Sequence, residues 1–196
     1  MIGWLAALTG CSAPAIVARG PEAELHGVHA RLGVGEQAPQ VWLASAWLGP
    51  DGTGRGSPAE ARIEGPTPLV VTGDRSSWAL AEKRVTFDGH VRATRGEVVL
   101  TAERMELWWA GDKVDRVVAT GGVEVRRGDR LATAGRAELA VATGRIDLRD
   151  HPTVLEAGNR LVGESMALYL DDDRLDCEQC RLEIEGEALR PVAPSP

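Results

Sequence analysis

The chain has 196 residues, a formal net charge of −7, 43% apolar and 26% charged residues, a composition that buries an ordinary core in one domain. The acidic balance argues against a nucleic-acid partner, because nothing would neutralise a run of phosphates. Three cysteines (Cys11, Cys177 and Cys180) cannot frame a domain of this size, and no stretch approaches the ~20 apolar residues of a membrane-spanning helix.

In chain order, residues 1–24 come first. Met1–Gly10 is apolar or small throughout and is followed by Cys11-Ser-Ala-Pro, the form of a secretory segment with its cleavage site. Leu8-Thr9-Gly10-Cys11 resembles the bacterial lipobox, which makes Cys11 the expected lipidated residue. No Lys or Arg precedes the apolar stretch; a start codon further upstream would account for that. The alternative is an apolar terminus with a chance Cys. Residues 12–24 then read as a flexible tether.

Val28–Leu32, Val41–Trp47 and Leu69–Thr72 read as short strands, and Gly49–Pro58, rich in Gly and Pro, as a loop. His26 and His29 are three apart, a spacing that sends them to opposite faces of a strand.

A repeat follows. Residues 84–115 align over 116–147 without a gap, with 13 identities in 32 positions, among them Gly89/Gly121, Arg95-Gly96/Arg127-Gly128 and Glu106-Leu107/Glu138-Leu139. Each unit reads as strand, turn, strand. The inward apolar rows expected from period-two alternation are Phe87, Val91, Val99, Met105, Leu107 and Trp109 in the first unit. In the second they are Val123, Leu131, Leu139 and Val141. Because 32 is even, both units direct their apolar sets to the same side. A diverged third unit turns at Arg149-Asp150-His151-Pro152 and at Ala157–Arg160, and places Met166 and Leu168 inward. Residues 186–196, with three prolines, read as a disordered tail. Strands at this spacing without a helical period imply an all-β antiparallel sandwich, jelly roll or solenoid-like roll.

Candidate chemistry is sparse. The four histidines form no Ser/His/Asp arrangement and no paired-His metal signature, so no cofactor or metal is expected and no enzyme. Cys177-Glu-Gln-Cys180 lies between strand-like stretches rather than opening a helix. In an exported protein a local disulfide is favoured over free thiols, and both over zinc or redox chemistry. Asp171–Asp173 reads as a solvated turn. Arg92, Arg95, Arg104, Arg126, Arg127, Arg130 and Arg136 alternate with acidic residues and mostly suit a wet sheet face.

Phe87-Asp-Gly-His-Val-Arg-Ala, Thr120-Gly-Gly-Val-Glu-Val-Arg, Arg145-Ile-Asp-Leu-Arg-Asp-His-Pro-Thr-Val and Gly163-Glu-Ser-Met-Ala-Leu-Tyr-Leu together carry a further inference. Over residues 25–185 the chain resembles the OstA-like family of lipopolysaccharide-transport proteins, comprising the LptA and LptC types and the amino-terminal domain of LptD. Residues 25–47 and Thr72–Arg75 look like the start of an LptC-like domain, so that member is favoured. The resemblance implies a β-jelly roll whose two sheets meet in a V, with an apolar interior that shelters lipid A acyl chains. The twelve inward residues named above would line it, and some of the arginines could meet lipid phosphates. It further implies handover to other jelly-roll proteins by edge-strand addition, and contact with an inner-membrane export transporter. The expected place is the periplasm, tethered through Cys11, with the inner membrane favoured over the outer. From the residues alone, a closed core is favoured over a slot; the alternative function is a structural or assembly lipoprotein of the envelope without lipid cargo.

Overall fold

In the computed structural model the described residues are 17–18, 23–31, 38–49, 52–111, 113–172 and 174–184. They form β strands and turns, with no helix among them. In order the strands are β1 (Val17–Ala18), β2 (Ala23–Arg31), β3 (Gln40–Leu48), β4 (Thr53–Ile63), β5 (Leu69–Gly73), β6 (Arg75–Ala79), β7 (Arg84–Arg95), β8 (Val98–Ala110), β9 (Lys113–Arg127), β10 (Arg130–Ala140), β11 (Arg145–Arg149), β12 (Thr153–Glu156), β13 (Asn159–Val162), β14 (Ser165–Tyr169), β15 (Leu175–Glu178) and β16 (Arg181–Ile184). The lipobox with Cys11 and the tail at 186–196 lie outside the described residues.

Every pairing is antiparallel, and the order along the sheet is close to the order along the chain. β10 pairs both β11 and β12, and β4 pairs both β5 and β6, so these short strands are halves of long strands interrupted midway. The interruptions form one transverse seam. It runs through Pro58, Asp74, Gly89-His90, Glu103, Gly121-Gly122, Gly135, Asp150-His151, Gly163-Glu164 and Gln179-Cys180. A long meander is thereby creased into two layers that face each other across a shared apolar core.

Bulges make the crease. Gly89 and His90 together oppose the single residue Glu103, and Gly121 and Gly122 do the same on its other side, so the register shifts by one at each. Gly121 has φ of 81° and Gly122 58°. Pairs with positive φ recur at Gly89-His90 and at Asp150-His151. The expected turn at 149–152 is therefore a bend within a continuing strand, with β11 and β12 on either side of it.

The layers are joined into one core. Val85, Phe87, Met105, Leu107, Ile146, Leu148 and Met166 come from the first layer; Val71, Val91, Leu100, Val123, Val125 and Val154 come from the second. Phe87, Val91 and Met105 have no measurable exposure. The repeat maps onto consecutive strand pairs, β7–β8 and β9–β10, which explains why it spans two strands and two turns.

Four expectations are corrected. Residues 53–58 are strand, not loop. Glycines occur in β4 because side chains lie over them: a Cβ at Gly54 would overlap the Trp78 indole, and one at Gly56 would come within 2.8 Å of the Ser45 carbonyl oxygen. Val99 and Leu131 face away from the core, because the alternation reverses at the crease within β8, between Ala102 and Met105, and within β10, between Ala132 and Ala137, and places Leu100 and Ala132 inward instead. His26 and His29 share the outer face, since Gly27, with φ of 62°, reverses parity between them and turns Leu25 and Val28 inward. Arg95, Arg127 and Arg130 occupy positions in line with inward residues, not the wet face assigned to them.

Candidate functional site: an apolar cleft with a hydrogen-bonded mouth

The interior between the layers is the candidate site. Of the twelve residues expected to line it, Phe87, Val91, Met105, Leu107, Trp109, Val123, Leu139, Met166 and Leu168 are buried in the shared cluster. Val141 is partly buried against it, and Val99 and Leu131 lie on the outer face. Alternation missed Val98 and Leu100, both buried; Val125, Ile146, Leu148 and Val154, apolar positions of the second and third units, are buried as well. A signal for the error was present. Glu103-Arg104 are two successive polar residues in an otherwise alternating strand, and both are exposed where its parity reverses opposite the bulges of β7 and β9.

At the end of the cleft away from the seam, polar contacts tie one layer to the other. The Arg95 Nη1 donates to the Val141 carbonyl at 3.3 Å. The Arg127 Nη1 donates to the Asp172 carbonyl at 2.6 Å and to the Tyr169 carbonyl at 3.4 Å. Below them lies a gap of about 20 Å³, lined by Val98, Val125, Ile146, Leu168 and Leu170, with Arg127, Arg130 and Tyr169 at its rim. It has room for about one water molecule. Around it lie the buried apolar side chains of the shared cluster.

The outer face of the first layer carries alternating charges. Arg104 bridges Asp88 at 2.9 Å and Glu106 at 3.2 Å, Arg84 bridges Glu82 at 2.6 Å, and Arg145 meets Asp147 at 2.7 Å. The hydrogen bond to Glu82 holds the Arg84 guanidinium above its ordinary pKa against the opposing effect of burial, and the bond to Asp147 does the same for Arg145. Exposed pairs of this kind contribute little to stability, ~0–1 kcal/mol each; they keep the outer face wet.

At the last strand pair, Cys177 and Cys180 are joined by a disulfide that spans the seam between β15 and β16. Gly163 lies under it, and a Cβ there would meet the Cys180 Sγ at 2.7 Å. β15 and β16 pair on one side only among the described residues, which leaves a sheet edge. Among the described residues no group of three or more His, Cys, Asp or Glu could hold a metal ion.

A family model described as LptA/(LptD N-terminal domain) LPS transport protein matches residues 70–174, from β5 to the end of the turn after β14. The crystal structure of LptH, the LptA homologous periplasmic component of the conserved lipopolysaccharide transport device from Pseudomonas aeruginosa, is similar in fold. Its TM-score is 0.55 at 17% identity, covering 61% of this chain and 96% of LptH. No curated protein matches the chain significantly. The antiparallel jelly roll is thus shared with a solved LptA homologue, and the matched segment contains both repeats and most of the creased meander. With more than half of its residues matched, the chain belongs to the LptA/(LptD N-terminal domain) family of LPS transport proteins, a family of carriers rather than enzymes.

Proposed function

We propose that the protein shelters the lipid A acyl chains of lipopolysaccharide between its two layers and passes them to a neighbouring jelly roll in the periplasm. The observation that carries this reading is the continuous apolar inner face, closed at its mouth by hydrogen bonds from Arg95 and Arg127 rather than by strand pairing. Opening the mouth breaks a few polar contacts of ~1 kcal/mol each, whereas each acyl CH₂ taken from water returns ~0.8 kcal/mol. Several chains therefore offset a partial loss of inter-layer packing. The β15–β16 edge, unpaired on its outer side among the described residues, offers backbone groups for addition of a strand from another jelly roll. A lipid on Cys11 would tether the carrier to the membrane, the inner one favoured, near an export transporter. LptC-like and LptA-like roles both accommodate this arrangement.

Photocrosslinking tests it. Probes at Leu107, Leu139 and Met166 should form lipopolysaccharide adducts, and a probe at the outward Glu106 should not. Adducts from Glu106 alone would sink the cleft.

The filled interior supports a second reading, a structural or assembly protein of the envelope with a closed core. It expects no adduct at any of the four positions and an unfolding curve unmoved by lipopolysaccharide.

A further inference from the structure

The outer face of the first layer carries a pocket of its own. One straight row crosses five strands there: Trp47 of β3 pairs with Arg55 of β4, Arg55 with Ser77 of β6, Ser77 with Thr86 of β7, and Thr86 with Glu106 of β8. The row dips in its middle, where two short hydroxyl side chains stand between longer ones. With Arg84 and Arg104 on its far side, the hollow holds about 440 Å³, inside the ~300–1,000 Å³ of small-molecule sites. Thr86 lies between the core residues Val85 and Phe87 and so points to the opposite face, yet it is only 3% exposed. Among the described residues neither its hydroxyl nor that of Ser77 makes a hydrogen bond.

The second repeat supplies the comparison. Arg84, Arg104 and Glu106 recur as Arg116, Arg136 and Glu138. Their ion pairs recur as well: Arg84 and Arg104 meet Glu106 at 3.4 and 3.2 Å, and Arg116 and Arg136 each meet Glu138 at 3.5 Å. The residue that they surround does not recur. It is Val118 in the second repeat, buried and apolar, and Thr86 in the first. Valine and threonine have nearly the same shape, so packing does not ask for the hydroxyl, and burying one without a partner is costly. The hydroxyl stands in the repeat that borders the pocket.

The lining restricts the ligand. Arg84 is met by Glu82 at 2.6 Å and Arg104 by Asp88 at 2.9 Å, besides their shared Glu106, which disfavours an anion. The held pairs instead present fixed donors and acceptors, and each floor hydroxyl is both. Trp47, with the Arg55 guanidinium 5.4 Å from its ring centre, adds an aromatic wall. A neutral ligand with many hydroxyls and an apolar C–H face fits these groups.

We propose that this pocket binds a saccharide, with Thr86 and Ser77 hydrogen-bonded to ring hydroxyls and Trp47 packed against the C–H face of the ring. The site lies on the other side of the sheet from the apolar interior, so it stands or falls separately from the carrier reading. Sugars joined to a lipid and sugars of a free glycan share this chemistry.

The test titrates the full chain by calorimetry with millimolar concentrations of the oligosaccharide released from lipopolysaccharide by mild acid, of an N-acetylglucosamine disaccharide, and of inorganic phosphate. At least one saccharide should bind. Thr86→Val, which gives the first repeat the shape of Val118, should weaken it about fivefold, as expected for one lost hydrogen bond. Ser77→Leu, which fills the floor, should abolish binding, and Thr133→Val, on the outer face of β10, should leave it unchanged. Thermal melts check that each variant is folded. Preference for the first saccharide assigns the site to lipid-linked sugar, and equal or better binding of the disaccharide assigns it to glycans in general; both support the pocket. Binding of neither, or binding that Thr86→Val and Ser77→Leu leave unchanged, overturns it and leaves the carrier reading standing. Tighter binding of phosphate than of either sugar overturns the saccharide assignment.

Discussion

Gly121 sits directly against Glu103: a Cβ on Gly121 would come within 2.9 Å of the Glu103 Cβ and 2.8 Å of its Oε2. The two residues face each other across the seam, where Gly121-Gly122 of β9 opposes the single residue Glu103 of β8. The crease that divides the sheet into two layers therefore depends on a missing side chain on one strand and a present one on its neighbour.

This contact separates two adjacent glycines. Gly121→Ala combines positive φ with a clash and should lower stability by about 2–3 kcal/mol. Gly122→Ala meets open space at a φ of 58° and should cost about 1 kcal/mol. Urea denaturation of both variants checks the order. Gly121→Ala combined with Glu103→Gly should be less destabilised than the sum of the two single changes, because the clash is shared. Equal losses at 121 and 122 would show that the seam imposes only a backbone requirement.

The reversal of alternation in β8 makes a second prediction. Leu100→Ala should cost about 2–5 kcal/mol as a core cavity, whereas Val99→Ala, on the outer face, should cost under about 1 kcal/mol. The same holds in β10, where Ala132→Leu should overpack the core by about 1–3 kcal/mol and Leu131→Ala should be nearly neutral. Chemical denaturation midpoints read this directly. A costly Val99→Ala beside a tolerated Leu100→Ala would mean that the alternation of β8 does not reverse at Glu103.

Removing the disulfide should loosen one edge of the sheet. Cys177→Ser with Cys180→Ser releases a short loop, for which chain entropy gives a loss of about 2 kcal/mol. The loss should fall on β13 to β16, since Gly163 packs under both sulfurs and β16, among the described residues, pairs only with β13. Hydrogen exchange should quicken at Arg160 to Val162 and at Cys177 to Arg181 while the β8–β9 amides stay protected. Uniform quickening over all strands would instead make the bridge a support of the whole roll.

Much of the fold was legible in the residues. Alternation at Val85, Phe87, Met105, Leu107 and Leu139 gave strands with one buried face, and Arg95-Gly96 and Arg127-Gly128 located both hairpin turns. The alternation failed at Val99 and Leu131 because period-two reasoning carries a strand's parity forward indefinitely, and the crease reverses it within β8 and β10, opposite the bulges of β7 and β9. It failed over residues 53–58 because glycines required by Trp78 and by the Ser45 backbone look like loop composition when their neighbours are not known.

The sequence by itself determined that the chain is a β meander with a 32-residue period and an apolar inner row, since side-chain periodicity is a local property. Only the tertiary structure decided where the meander is creased, which of Val99 and Leu100 faces inward, and that Arg95 and Arg127 stand at a mouth rather than on a wet face. These depend on register between strands far apart in the chain, from β8 against β9 to Arg127 against Asp172. Pairing across such distances is set by the core as a whole, and no window of residues contains it.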